Sequence, residues 1–185
     1  KGKKVLVIGG GDTGSDCVGT ANRHGAASVT QIEIMPQPPV GHNPATPWPL
    51  YPQVLKTSSS HEEGCIRRWN LASVRFTGDK NTLKGVEVEE VEWLPAEEGC
   101  RPEMRKTGRT EVIEADLVFL AMGFVHPEQE GLVKELSLAV DARGNIAVDP
   151  ATNRVAGTNI FASGDAVSGA SLVVRAMASG RKTAA

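Results

Sequence analysis

Residues 5–14 read VLVIGGGDTG, a continuous apolar run that passes directly into glycines. Such a run is typical of a strand that is covered on both faces. From Gly14 to His24 apolar residues recur at helical spacing, and Gly25 suits the left-handed position that closes a helix. A second strand-like stretch, Val29 to Ile34, follows. Strand, glycine-rich turn, helix and strand predict a βαβ unit with parallel strands.

The turn within this unit fits G-x-G-x-x-G, a pattern that binds dinucleotides. Gly9 allows the tight turn, Gly11 lets the backbone approach a pyrophosphate, and Gly14 permits close packing of the helix. The helix N-terminus adds free N–H groups and about half a positive charge, which favour a diphosphate. We predict that the turn contacts a dinucleotide, the alternative being a structural turn. Its residues are Gly9, Gly10, Gly11, Asp12, Thr13 and Gly14.

An acidic residue on the second strand distinguishes the two nicotinamide dinucleotides in the simplest scheme, because it accepts from a ribose hydroxyl. Glu33 is the candidate. Its carboxylate would repel a 2′-phosphate, and residues 34–40 contain no Arg or Lys to bind one. These features favour NADH over NADPH. The alternative is that Glu33 points to solvent, which a shift of one residue along the strand would cause.

Seven of the eleven prolines lie between Met35 and Pro52, which predicts an extended loop. Trp48 and Tyr51 within it either pin the loop to the core or line a groove, and pinning is favoured. Serines at positions 58–60 then suggest the cap of a short helix, which we expect from His61 to Trp69.

The middle of the chain alternates polar and apolar residues between glycine-containing turns, which predicts an antiparallel meander followed by a buried strand. The expected meander strands are Ser73–Thr77, Leu83–Leu94 and Glu111–Glu114, and Leu117–Met122 is expected to rejoin the parallel sheet. The fold class is therefore α/β, a Rossmann-like, three-layer FAD/NAD(P)-binding fold with a parallel sheet and an antiparallel β-meander.

The last sixty residues predict smaller elements. We expect a short helix near Leu132–Leu136, a strand pair turning at Arg143–Asn145, a strand at Ile160–Ala162 and a helix from Leu172. Asp165 follows the last strand, where its carboxylate either holds a ribityl or ribose hydroxyl or caps a helix.

Composition excludes several classes of protein. The chain has 185 residues, 40% hydrophobic and 23% charged, with a formal net charge of −2, so it lacks the basic excess of a nucleic-acid binder. The longest apolar run, residues 117–125, is too short for the roughly 20 residues that cross a bilayer. Gly9, Gly10 and Gly11 interrupt the first apolar segment, so we do not expect it to act as a secretory leader. We expect no nucleic-acid or membrane partner and a cytoplasmic location.

Neither cysteine nor histidine spacing indicates a metal or catalytic site. We expect reduced structural thiols at the three cysteines and surface or packing roles at the four histidines. The cysteines are Cys17, Cys65 and Cys100, and the histidines are His24, His42, His61 and His126.

Taken together, the motifs resemble the small (beta) subunit of bacterial glutamate synthase from end to end. Those that carry the resemblance are Val7–Gly14, Glu33–Pro36, Asn43-Pro44 with Trp48-Pro49, Ala121–Phe124, Ile160–Asp165 and Ser171–Val174 through Gly180-Arg181. The resemblance implies an oxidoreductase that passes hydride from NADPH or NADH to FAD. Electrons then reach a large (alpha) subunit through iron–sulfur clusters, and glutamine and 2-oxoglutarate become glutamate.

The resemblance also implies a domain organisation. Residues 1–125 would form the NAD(P)H-binding domain, and residues 126–185 an incomplete C-terminal part of the FAD-binding domain. Gly123 would close the nicotinamide side, Gly164 and Asp165 would hold FAD, and Ser171 and Leu172 would lie near its ring. The family's cysteine-rich iron–sulfur region and first flavin-binding βαβ unit are not found in the sequence.

The two ends of the sequence favour the interpretation that the chain is a piece of a longer protein, because the sequence starts on Lys1 and stops within a helical pattern. Two other readings stay open. One is a related electron-transfer reductase subunit, similar to dihydropyrimidine dehydrogenase or coupled to ferredoxin. The other is a nucleotide-binding module without turnover, since a fragment with half a flavin site is expected to be inactive.

Overall fold

Seven strands and four α-helices appear in a computed structural model, which describes residues 1–95 and 102–185. The strands are β1 (Lys4–Ile8), β2 (Ser28–Ile32), β3 (Ile66–Arg68), β4 (Leu71–Asp79), β5 (Thr82–Leu94), β6 (Glu103–Glu114) and β7 (Leu117–Leu120). The helices are α1 (Asp12–Arg23), α2 (Ser59–Glu62), α3 (Asp165–Ser168) and α4 (Val173–Ala184). The chain divides into two units, Lys1–Met122 and Gly123–Ala185.

The first unit contains a parallel sheet in the order β3-β2-β1-β7. Strand β1 lies between β2 and β7 and pairs in parallel with both. A central parallel strand needs apolar side chains on both faces, which explains the continuous run in β1. The predicted βαβ unit is confirmed, and so is the return of the chain to the parallel sheet at β7.

The two faces of β1 pack against different layers. Val5 and Val7 share a core with Val18 and Ala21 of α1. Leu6 and Ile8 point the other way and share a core with residues of β4 and β5, namely Leu71, Val86 and Val88. Helix, parallel sheet and meander therefore form the three layers that the sequence predicts.

The predicted meander is confirmed as an antiparallel sheet in the order β4-β5-β6. Its strands are longer than predicted at several ends, because register shifts let pairing continue past Thr77 and Glu89. Valines on one face of β5, such as Val86 and Val88, are buried, as the alternating pattern predicts.

The helix predicted from His61 to Trp69 is wrong over most of its length. Helix α2 ends at Glu62, and Ile66–Arg68 forms the edge strand β3 beside β2. Gly64 has a φ of 121°, which helical backbone does not allow. After Gly64 the chain pairs with the edge of β2. This pairing gives hydrogen-bond partners to backbone N–H and C=O groups of β2 that a longer helix would have left without them.

The second unit has a small core of its own, formed by Val133, Leu138, Ile146 and Val155. The turn at Arg143–Asn145 is confirmed by an antiparallel bridge between Val140 and Ile146. The short helix expected near Leu132–Leu136 is confirmed as a helical turn, in which the backbone N–H of Leu136 donates to the carbonyl oxygen of Leu132. It follows a kink at Glu130 and Gly131, whose backbone is not helical. One other prediction needs correction, because residues 160–162 contribute only a single bridge, between Arg154 and Phe161.

Among residues 1–95 and 102–185, no helix combines the length and the apolar character needed to cross a membrane.

Candidate dinucleotide-binding site

The glycine-rich turn connects β1 to α1 at the carboxyl edge of the parallel sheet. Gly9 has a φ of 122°, which L-residues with a side chain rarely adopt. A Cβ on Gly9 would lie 2.2 Å from the carbonyl oxygen of Ala121, just after β7. The first glycine is therefore required both by its backbone conformation and by its close neighbour.

Gly14 and Gly11 differ in what surrounds them. A Cβ on Gly14 would lie 2.2 Å from the carbonyl oxygen of Gly9, so this position packs α1 directly onto the turn. A Cβ on Gly11 would meet nothing within 4 Å. Gly11 is the N-cap of α1, and no side-chain cap is found there among the described residues. Its backbone is open to a ligand.

Glu33 lies directly after β2 and faces the turn. Its Oε2 accepts from the backbone N–H of Gly10 at 2.5 Å, and its Oε1 accepts from Ile34 N–H at 2.9 Å and Met35 N–H at 3.3 Å. A Cβ on Gly10 would lie 2.5 Å from Oε2. The side chain is half-buried, so its orientation is not the solvent-directed alternative.

A series of hydrogen-bonded polar side chains contacts the same turn. Buried Gln31 on β2 donates from Nε2 to the carbonyl oxygen of Gly9 at 2.9 Å, and its Oε1 is 2.9 Å from Nε2 of His61. The Nδ1 of His61 lies 3.0 Å from Oγ of Ser58, which is 2.5 Å from Oγ of Ser15. From the sequence, only a surface or packing role is predicted for His61.

A cavity of about 600 Å³ opens between the turn and the proline-rich loop. The loop has no helix or strand, as predicted. This irregular segment continues past Pro52 to Ser58, so the proline-rich loop comprises residues 35–58 in the structure. Its aromatic residues do not pin it to the core, however, because Trp48 is 93% exposed and Tyr51 68% exposed. Tyr51 lines the cavity together with Gly11, Asp12, Ser15, Asn43, Lys56 and His61.

Lys56 brings a positive charge to this cavity. Its Nζ donates to the Tyr51 hydroxyl and lies 3.9 Å from the centre of the Tyr51 ring. The sequence pattern leads one to expect such a cation directly after the second strand, in residues 34–40. It does not predict Lys56, because Lys56 reaches the cavity only after the long loop has folded back.

The remaining predicted site residues belong to the second unit. Gly123 has a φ of 85° and follows Met122 at the boundary between the units. Gly164 is buried at the start of α3, where a Cβ would lie 3.3 Å from that of Ala176. Asp165 is exposed, and its Oδ1 accepts from the backbone N–H of Ser171 at 3.3 Å. Leu172 is exposed and precedes α4.

The described cysteines are free thiols in this structure. Cys17 and Cys65 pack against the core shared by β1 and α1, and burial raises the pKa of both. Cys100 lies outside the described residues. In the part of the chain that is described, no three His, Cys, Asp or Glu side chains are grouped to hold a metal ion.

The glycine-rich turn lies between a central parallel strand and a helix, and the carboxylate that follows the next strand lies beside it. This arrangement is the one that defines the Rossmann-like class of FAD/NAD(P)-binding folds. The chain belongs to the pyridine nucleotide-disulphide oxidoreductase family, whose model matches residues 1–180.

Several named proteins align with the whole length of this chain. All of the chain aligns at 44% identity with "Glutamate synthase [NADPH] small chain" of Mycobacterium tuberculosis and covers 37% of it. It also aligns over its full length at 39% identity with "Glutamate synthase [NADH]" of Saccharomyces cerevisiae, covering 9% of that protein. Among solved structures, T. acidophilum thioredoxin reductase matches all of the chain with a TM-score of 0.63 and 26% identity, and the chain covers 51% of it.

Proposed function

We propose that this chain is part of an NAD(P)H-dependent flavin oxidoreductase, the small subunit of a glutamate synthase, and that its first unit binds the nicotinamide dinucleotide. The observation that carries the proposal is the open backbone of Gly11 at the N-terminus of α1, beside a cavity of about 600 Å³. Relatives that align with the whole chain are named as glutamate synthases.

The residues of the turn fit a pyrophosphate. Gly11 leaves the space into which a side chain would project, and α1 directs its free N–H groups toward that space. Gly9, Gly10, Asp12, Thr13 and Gly14 complete this binding turn. Helix α1 has 12 residues, long enough for its dipole to favour a negative charge at this end.

Glu33 fits a ribose as well as the turn. A carboxylate has about four lone-pair sites, and Glu33 uses three for backbone N–H groups of Gly10, Ile34 and Met35. Its remaining site can accept from a ribose hydroxyl. We propose that Glu33 favours NADH, while Lys56, which lines the cavity beside the turn, is a group that attracts phosphate.

The second unit is proposed to contribute to an FAD site. Exposed Asp165 has acceptor capacity left after its bond to Ser171, so it suits a ribose or ribityl hydroxyl. Gly164, which precedes Asp165, has a φ of 65°, and Ser171 and Leu172 are proposed to lie near the flavin ring. Gly123 is proposed to lie on the nicotinamide side.

The protein's contribution to the reaction is binding, orientation and exclusion of water, because hydride transfer between two bound rings needs no protein nucleophile. Bound NAD(P)H supplies the hydride and FAD accepts it. We further propose that the electrons pass through iron–sulfur clusters to a large (alpha) subunit in the cytoplasm. There they serve glutamate formation from glutamine and 2-oxoglutarate.

Calorimetric titration of the chain with NADH, NADPH and FAD tests the binding step. Saturable binding of a nicotinamide dinucleotide is expected, and no binding of either one would overturn the assignment of the turn. A chimera tests the larger proposal: this chain replaces the matching segment of the M. tuberculosis small chain. We expect NAD(P)H-dependent glutamate formation to be retained, whereas loss of turnover with intact nucleotide binding would restrict the function to a binding module.

Glu33→Gln is expected to weaken NADH binding roughly tenfold, since an acceptor bond to a charged group is worth about 1.5–3 kcal/mol. NADPH binding is expected to fall less, because the neutral amide no longer repels the 2′-phosphate. The measurement is the ratio of the two Kd values by calorimetry. Glu62→Gln, an exposed carboxylate on α2, is the control. An unchanged ratio in Glu33→Gln would remove Glu33 from cofactor selection.

A further inference from the structure

His61 is held through both of its ring nitrogens, on one side by β2 and on the other by the residue that starts α2. Its Nε2 is 2.9 Å from Oε1 of Gln31. Its Nδ1 is 3.2 Å from the backbone N of Ser58 and 3.0 Å from Ser58 Oγ. Ser58 is the N-cap of α2, and His61 takes the position where a capping box ordinarily has Glu or Gln.

These contacts determine the protonation of the ring. The carbonyl of Gly9 only accepts, so the Gln31 amide must direct its Nε2 there and its Oε1 toward His61. Nε2 of His61 therefore donates to Gln31. Because Ser58 presents a backbone N–H to the other nitrogen, Nδ1 must accept. The geometry is satisfied only by a neutral imidazole with its proton on Nε2.

The same ring joins two segments that line the cavity. Through Gln31, which is 2% exposed, it connects to the carbonyl oxygen of Gly9 in the glycine-rich turn. Through Ser58 it connects to Ser15 of α1 and to the end of the proline-rich loop. No chemistry of the proposed reaction requires this link, so its effect is on the shape of the site.

We propose that neutral His61 is a positioning residue for the dinucleotide site, holding the glycine-rich turn and the end of the proline-rich loop together, so that protonation of the ring weakens dinucleotide binding. This inference rests on the proposed function of the turn. On protonation Nδ1 becomes a donor that faces the N–H of Ser58, and the capping box opens.

Burial and the charge of Arg67 favour the neutral form of the His61 ring. Burial, followed by the positive charge of Arg67 on β3, lowers the pKa of His61 from its usual 6.5. Lys56 of the loop and Asp12 of α1 line the same cavity. On the side of α2 itself lie Glu62 and also Glu63, which is paired with Arg23 of α1. Since the folded pKa of His61 is lowered, the link is present above pH 6.5 and is lost as the pH falls through this lowered pKa.

The test measures the Kd of NAD⁺, which survives acid better than NADH, by calorimetry between pH 7.5 and 5.5. In the unaltered chain Kd is expected to rise as the pH falls through the lowered pKa of His61, by up to roughly fivefold, about what one neutral hydrogen bond contributes. His61→Gln keeps a donor and an acceptor at similar reach, so its Kd should stay constant across this range. His61→Leu should bind weakly at every pH. His24→Gln, which removes an exposed histidine after α1, should retain the original pH dependence.

A second readout is independent of ligand. Nitrogen NMR shifts of His61 are expected to show the Nε2–H form, and exchange of the Gly10 to Gly14 amides should accelerate at low pH in the unaltered chain but not in His61→Gln. Equal pH profiles of Kd in these two proteins, or a ring protonated on Nδ1 at pH 7.5, would overturn the inference. Failure of NAD⁺ to bind at any pH, with the NMR results as expected, would instead overturn the proposed function.

Discussion

Gly11→Val is expected to abolish dinucleotide binding and leave the fold of the chain intact. The valine side chain would project into the space that a pyrophosphate needs, since no protein atom lies within 4 Å of a Cβ at this position. Two N–H bonds to a charged group are worth about 1.5–3 kcal/mol each, so affinity should fall by about a hundredfold or more. Calorimetry with NADH measures this loss.

The fold should tolerate the same change. Gly11 has a φ of −80° and a ψ of −171°, an extended conformation that β-branched residues adopt readily. Circular dichroism and thermal unfolding should show a Tm within a few degrees of the original. Thr20→Val, an exposed position near the other end of α1, is the control and should bind NADH normally. Unchanged NADH affinity in Gly11→Val would refute the placement of the pyrophosphate.

Gly14→Ala is expected to lower the free energy of unfolding by about 1–3 kcal/mol, the range typical of overpacked sites. Helix propensity alone predicts the opposite sign, because Ala for Gly within a helix ordinarily stabilises by roughly 0.5–1 kcal/mol. The difference arises from the Cβ, which would lie 2.2 Å from the carbonyl oxygen of Gly9 and 2.7 Å from Nε2 of Gln31. Urea unfolding measures the change.

Gly11→Ala is the matched control for this substitution, since its Cβ enters open space on the same turn. Its free energy of unfolding should stay within about 1 kcal/mol of the original, the usual range for a helix N-cap. If Gly14→Ala were as stable as the original chain, helix α1 would not pack against the turn as closely as described.

Much of the fold is predictable from local pattern. The apolar run of β1, the glycines that follow it and the alternation along β5 each carry a strong period, and the elements form where that period places them. One exception is the segment after α2. Strand β3 has only three residues, too few to show a period, and it exists because the edge of β2 offers it hydrogen-bond partners.

Some residues of the candidate site could likewise be predicted from local sequence pattern, and others could not. Sequence spacing was enough to nominate Gly9, Gly11, Gly14 and Glu33, because a βαβ unit brings the first turn and the end of the second strand together. It could not nominate Lys56 or His61. Both reach the cavity only after the proline-rich loop turns back, and the path of such a loop depends on long-range contacts that no local pattern records.

The contact between Gly10 and Glu33 has a consequence for engineering. Because a Cβ on Gly10 would lie 2.5 Å from the Glu33 carboxylate, the two positions form one design unit rather than two independent ones. Any side chain at position 10 demands a shorter or displaced residue at position 33. Conversely, installing an arginine at position 33 to recruit NADPH would leave the Gly10 amide without its acceptor. Redesign of cofactor preference in this chain therefore begins with paired libraries at positions 10 and 33.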